Sequence, residues 1–232
     1  MERRDFLGAC ALGCVASTWP VVAQENARPR AYARARLVDA EGKPFLAKSI
    51  AADRNLIFHY PYTATPCFLL RLGKPARAAQ PLKTKDSIAY DWPGGVGPEG
   101  AIVAFSAICS HQLTYPTRDI SFISYRAETT PTSKYAKVIH CCSEHSQYDP
   151  SQGARVLAGP APQPLAAILL DYDAATDQLF ATGTLGGEMF DQFFAKFEFR
   201  LGMEYGGRQR TAVGDQAVVR ELESFCRQQV KC

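Results

Sequence analysis

Past residue 30, no apolar run in this sequence goes far before glycine or proline interrupts it, and that punctuation constrains the fold most. Short apolar segments recur at Ala33–Leu37, Asn55–His59, Cys67–Leu72, Ala101–Phe105, Tyr135–His140, Ala166–Asp171 and Gln178–Thr182. Between them stand Glu41-Gly42-Lys43-Pro44, Gly73-Lys74-Pro75, Pro93-Gly94-Gly95, Pro98-Glu99-Gly100, Gly153 and Gly159-Pro160. Glycine and proline supply turn conformations that other residues resist, so the alternation predicts an all-β domain. Two later stretches read differently. Phe190, Phe193, Phe194 and Phe197 fall on one helical face, and Val218, Val219, Leu222 and Phe225 predict a C-terminal helix within Asp215–Lys231. The 232 residues then divide into an N-terminal segment 1–23, a linker 24–30, a β domain 31–184 and an extension 185–232.

The chemistry concentrates in a few residues. Of four histidines, His111, His140 and His145 stand beside cysteines, in Cys109-Ser110-His111 and in His140-Cys141-Cys142-Ser143-Glu144-His145. Eight unevenly placed cysteines do not make a disulfide scaffold, and 47% hydrophobic residues give a core without one. Cys109, His111, Cys142 and His145 form a Cys-x-His and a Cys-x-x-His pair, two sulfurs and two nitrogens at chelating distance. Tetrahedral zinc accepts such a set. So does a [2Fe–2S] centre with both cysteines on one iron and both histidines on the other. The single residue between Cys109 and His111, and the strand-like sequence before each box, are unlike a zinc finger. Cys67 reads as a small buried hydrophobe, and His59 and His140 as structural. Cys226 and Cys232 could pair in an oxidising compartment, at a distance that sequence does not fix.

Downstream come Tyr148-Asp149-Pro150, Gly153 and Gly159-Pro160-Ala161-Pro162. This order resembles the Rieske iron–sulfur family over residues 31–184, with two ligand loops, a covering Gly-Pro-Ala-Pro loop and two following strands. The resemblance implies stacked antiparallel sheets with a cluster-binding subdomain. It implies a Rieske [2Fe–2S] cluster with Cys109 and Cys142 on the inner iron and His111 and His145 on the outer. Tyr148 would hydrogen-bond a ligand sulfur. Four departures stand out. Thr114 and Glu144 replace the cysteines of the respiratory loop-to-loop disulfide, which implies a less cross-linked tip. Thirty residues separate His111 from Cys142, a long insert that predicts an extra hairpin around Arg118–Lys137. The step from His145 to Asp149 is one residue short, which bears on Ser146 as a partner of a bridging sulfide. Cys141 adjoins Cys142, and the Cys-x-x-His spacing selects Cys142.

The N-terminus reads as an address. Arg3-Arg4-Asp5-Phe6-Leu7 resembles a twin-arginine export signal, followed by an apolar stretch ending at Ala23. Its 18 residues fall just short of the roughly 20 that span a bilayer, so a cleaved signal and an N-terminal membrane anchor both stay open. Export places the domain in the periplasm or on the periplasmic face of the inner membrane. A net charge of +3, with no basic stripe, argues against a nucleic-acid partner. There is no nucleophile elbow and no phosphate-binding loop. The reading is therefore an electron-transfer protein or subunit rather than a complete enzyme, working with a cytochrome, a quinol or a larger oxidoreductase subunit. The family offers two homes, the iron–sulfur subunit of a quinol–cytochrome c oxidoreductase and the small subunit of an arsenite-oxidase-like molybdenum enzyme. A zinc-stabilised binding module with no redox role is the rival of another class.

Overall fold

The computed structural model describes residues 28–232, so the twin-arginine motif and the apolar stretch lie outside the described residues. Sixteen strands follow in chain order. They are β1 (Arg30–Val38), β2 (Leu56–His59), β3 (Pro66–Arg71), β4 (Leu82–Lys83), β5 (Ala89–Tyr90), β6 (Ile102–Ser106), β7 (Ile120–Ser121) and β8 (Ile123–Arg126). Then come β9 (Val138–Cys141), β10 (Ser146–Asp149), β11 (Arg155–Ala158), β12 (Ala167–Asp173), β13 (Gln178–Leu185), β14 (Gln216–Val218), β15 (Arg220–Glu221) and β16 (Gln228–Gln229). Helix α1 (Phe190–Tyr205) and the single helical turn α2 (Leu222–Phe225) are the α-helical elements among the described residues. Among the described residues the architecture is mostly β with one long helix, as the turn-punctuated sequence predicts.

The main sheet has eight strands in the order β14-β1-β13-β12-β6-β3-β2-β15. Its centre is buried on both faces, which explains why Pro66-Cys67-Phe68-Leu69-Leu70 shows no polar alternation. Phe68, Leu70, Val103 and Phe105 point into one core, shared with Ile139 and Tyr148. Cys67, Leu69, Ile102 and Ala104 point into a second, shared with Leu37, Phe58, Leu179 and Ala181. Strands from opposite ends of the sheet meet in that second core, so the sheet curls. Consecutive strands β14 and β15 join its two edges, β14 alongside β1 and β15 alongside β2.

This closure overturns the C-terminal helix expected across Asp215–Lys231, since only Leu222–Phe225 is helical. The apolar spacing fitted a helix. The open edges of β1 and β2, however, offer unpaired backbone groups that an extended segment satisfies. Ala217 and Val219 fill the second core from this extended segment.

A smaller sheet, in the order β11-β10-β9-β8, packs on the outer face of the first core. The long insert contributes β8 as the hairpin partner of β9, and β7 pairs in parallel with the C-terminal β16.

Candidate metal centre

Two loops and a hairpin tip converge between the sheets. The first loop leaves β6 and doubles back in a tight turn, with Leu113 N–H donating to Cys109 O at 2.9 Å and Cys109 N–H to Thr114 O at 2.8 Å. Ile108, Leu113 and Tyr115 bury themselves against Phe190, Phe193 and Phe194 of α1. The phenylalanine stripe thus pins this loop, and Lys196 Nζ adds a hydrogen bond to Gln112 O at 2.8 Å.

The second group sits on the β9–β10 hairpin. Cys141 pairs with Ser146, His140 with Gln147 and Ile139 with Tyr148. Directly paired residues share a face, and successive residues alternate. Ile139, Cys141, Ser146 and Tyr148 therefore turn inward, and Ile139, Cys141 and Tyr148 join the core that holds Cys109. His140 and Gln147 turn to the other side. Cys142 continues the alternation and leaves the inner face.

The structure thus brings Cys109 together with Cys141, not with Cys142. Cys142 forms a disulfide with Cys232, 90 residues further on. A disulfide sulfur is not a thiolate ligand, so this geometry removes Cys142 from the set expected from the Cys-x-x-His spacing. The pairing also answers the question of Cys226 and Cys232. Cys226 is free and buried, and the tip carries a cross-link after all, to the C-terminus instead of the first loop.

The inner face is prepared for negative sulfur. Cys109 receives hydrogen bonds from the Cys141 thiol, from Tyr148 and from the backbone N–H groups of His111 and Gln112. These outweigh burial and bring its thiol down to about 6. Cys141 moves upward, because it donates to Cys109 and is buried, although the N–H groups of Ser143 and Glu144 point at its sulfur. The two sulfurs share a hydrogen bond and each faces two backbone N–H groups, a setting that favours negative charge on sulfur. Tyr148 Oη lies 3.2 Å from Cys109 Sγ and 3.2 Å from Ser110 N. Ser110 Oγ donates to Gln163 O at 2.7 Å, tying the first loop to the end of the Gly-Pro-Ala-Pro segment. At its other end that segment touches the hairpin. A Cβ on Gly159 would stand 2.5 Å from Ser146 Cα and 2.6 Å from His145 O.

Two buried polar atoms on these two loops have no partner, His111 Nδ1 and Ser146 Oγ, as is also true of Tyr115 Oη, Arg126 Nε and Gln209 Oε1. Such orphans are uncommon in folded proteins, and a group bound between the loops is one way to complete the first two. His145 behaves differently. It is exposed at the tip with φ +56°, and its ring lies 5.7 Å from that of His140. Donor atoms of His140, His145 and Cys232 lie within 4.8 Å of one another, on the outer side of the hairpin. Of the expected residues, then, Cys109 and His111 share the inner site, Cys142 and His145 stand on the outer side, and Cys141 is the inner residue that the spacing passed over. Strand alternation through Ile139 and Cys141 was the sequence signal that could have found it.

No family model matches the chain. Among solved structures it is similar to the soluble domain of the Rieske protein II (soxF) from Sulfolobus acidocaldarius, with 27% identity over 68% of this chain and 82% of that one, and a TM-score of 0.45.

Proposed function

We propose that this protein is a Rieske-type electron carrier whose [2Fe–2S] cluster is held by Cys109 and Cys141 on the inner iron and by His111 and His145 on the outer, His145 reaching the site by turning inward from the exposed tip, where its ring stands beside His140. The observation that carries this reading is the buried Cys109–Cys141 pair flanked by orphaned His111 Nδ1 and Ser146 Oγ. Substituting Cys141 for Cys142 also restores a register. Cys141 stands eight residues before Asp149, which is the family's usual Cys-x-x-His step followed by its usual step to aspartate. The same register puts Glu144 where the family has its second imidazole, so Glu144 is the competing donor.

When bound, a cluster of this kind supplies a one-electron store at a potential above that of all-thiolate centres. The surrounding residues have separable tasks. Tyr148 donates toward Cys109 Sγ, and the N–H groups of both loops face the two sulfurs, which stabilises added negative charge. The Gly159–Gln163 segment spans from the hairpin tip to the first loop, and both sulfur-bearing residues, Cys109 and Cys141, are buried. His145 at the exposed tip is the side chain a redox partner reaches, and an imidazole there can exchange a proton as the electron moves.

The export-like N-terminus supports a periplasmic site of action, with a cytochrome, a quinol or a larger oxidoreductase subunit as partner. The iron–sulfur subunit of a quinol–cytochrome c oxidoreductase is the home we propose. Among the described residues no helix is long and apolar enough to cross a membrane, so attachment in that role falls to residues 1–23 or to a partner. Iron and acid-labile sulfide content across single variants tests the ligand set. Cys109→Ala, Cys141→Ala, His111→Ala and His145→Ala are expected to lose the cluster, and Cys142→Ala and Glu144→Ala to assemble it. Zinc without iron in the wild-type protein would refute the reading.

A further inference from the structure

We propose that the Cys142–Cys232 disulfide is a redox-releasable strap that holds the second cluster loop closed. The proposal rests on the reading above that the Cys109–Cys141 site holds the cluster.

The strap has a firm end and a loose end. At the firm end, α2 buries Leu222 and Phe225 in the core. The chain beyond α2 is fixed by Arg227 N–H to Arg118 O at 2.9 Å, Gln228 N–H to Asp119 O at 3.0 Å and Val230 N–H to Ser121 O at 2.9 Å. Arg126 Nη2 also donates to Val230 O. At the loose end, Ser143, Glu144 and His145 are all exposed. Apart from the N–H groups aimed at Cys141 and the close approach of Gly159 to His145 O, the tip is held by Cys142 N–H to Phe122 O at 2.6 Å and by the disulfide. Breaking the disulfide leaves the tail in place and frees the tip, which carries His145 and adjoins the ligand Cys141.

The surroundings suit cleavage. Cys142 and Cys232 are partly exposed residues, whereas Cys67, Cys109, Cys141 and Cys226 are buried. Arg126 Nη2 stands 3.9 Å from Cys142 Sγ, and His140 ring nitrogens stand 3.7 Å from Cys232 Sγ. A guanidinium beside a departing sulfur offsets the negative charge that forms there. The step balances with a dithiol as reductant. One reductant thiolate attacks and the Cys142–Cys232 bond breaks. The second reductant thiol then resolves the mixed disulfide, Cys142 and Cys232 each end with a proton, and the reductant leaves as its own disulfide.

The test uses the full chain with its cluster, challenged with an iron chelator while visible absorption is followed. Cysteine-resolved peptide mapping should first find residues 142 and 232 linked, and two free thiols there in air-oxidised protein would overturn the proposal. Dithiothreitol should shorten the cluster half-life of the wild type roughly tenfold, as expected for a loop that opens more often. C142S, C232S and the double variant should share that shorter half-life and be insensitive to dithiothreitol. A wild-type half-life in C232S would overturn the strap. So would loss of the cluster in C142S but not in C232S, because Cys142 would then be a ligand. Hydrogen exchange at residues 142–146 of the cluster-free chain tests the strap separately. It should be faster in C232S than in wild type, and equal rates refute the strap whatever metal the site holds.

Discussion

At the scale of single residues, the proposed inner ligand turns on one step of strand pleat. Spacing alone selects Cys142, because Cys142-Ser143-Glu144-His145 matches Cys-x-x-His. Pairing Cys141 with Ser146 and Ile139 with Tyr148 selects Cys141, since side chains one residue apart on a strand face opposite ways. Tyr148 is the next residue to probe. Its hydroxyl touches Cys109 Sγ and is deeply buried, which holds the phenol in its neutral, donating form. Tyr148→Phe removes one donor from a sulfur that gains charge on reduction. The expected result is an intact cluster with a potential lower by about 50 mV, close to the 59 mV that equals a tenfold one-electron change. Redox titration followed by circular dichroism reads it, and an unchanged potential would separate Tyr148 from the centre.

At the scale of elements, much of the frame was legible. The runs at Asn55–His59, Cys67–Leu72 and Ala101–Phe105 became β2, β3 and β6, because doubly buried strands need continuous apolar sequence. The phenylalanine spacing became α1, and its task of backing the first ligand loop needed the structure. Strand β10, Ser146-Gln147-Tyr148-Asp149, was hidden by its polar composition. Its Ser146 and Gln147 are buried by the cover loop and by Ser133, contacts remote in sequence. The misread C-terminal helix failed for a related reason, since the edges of β1 and β2 that claim the segment are invisible in local periodicity. The cover loop makes its own prediction. Gly159 has φ +86° and a Cβ there would meet the Ser146 backbone at 2.5 Å, so Gly159→Ala should destabilise the fold by roughly 2 kcal/mol or more. Denaturant unfolding measures the cost, and the variant should also lose its cluster faster. A neutral Gly159→Ala would mean that the cover does not press on the hairpin.

At the scale of the whole molecule, the C-terminal extension is part of the architecture. It closes the curled sheet through β14 and β15 and reaches the cluster loop through Cys232. His59 lies at this junction, with its ring 5.4 Å from Phe225 and its Nε2 3.4 Å from Tyr205 Oη. Burial, then Arg118 and Arg220, bring its imidazole down to about 4. An imidazole held neutral in the fold takes up a proton on unfolding below its ordinary value of 6.5. Stability from this group is therefore full above pH 6.5 and falls as pH drops toward 4, by about 3 kcal/mol in all. Urea unfolding between those limits should show the slope, and His59→Gln should flatten it. The central claim, a two-cysteine, two-histidine [2Fe–2S] centre, is tested most directly by pulsed electron paramagnetic resonance on the dithionite-reduced protein. The account predicts a rhombic signal coupled to two imidazole nitrogens that survives Cys142→Ser and vanishes in Cys141→Ser. Coupling to a single nitrogen would move the fourth ligand to Glu144, and a signal that vanishes in Cys142→Ser but survives in Cys141→Ser would contradict the ligand set proposed here.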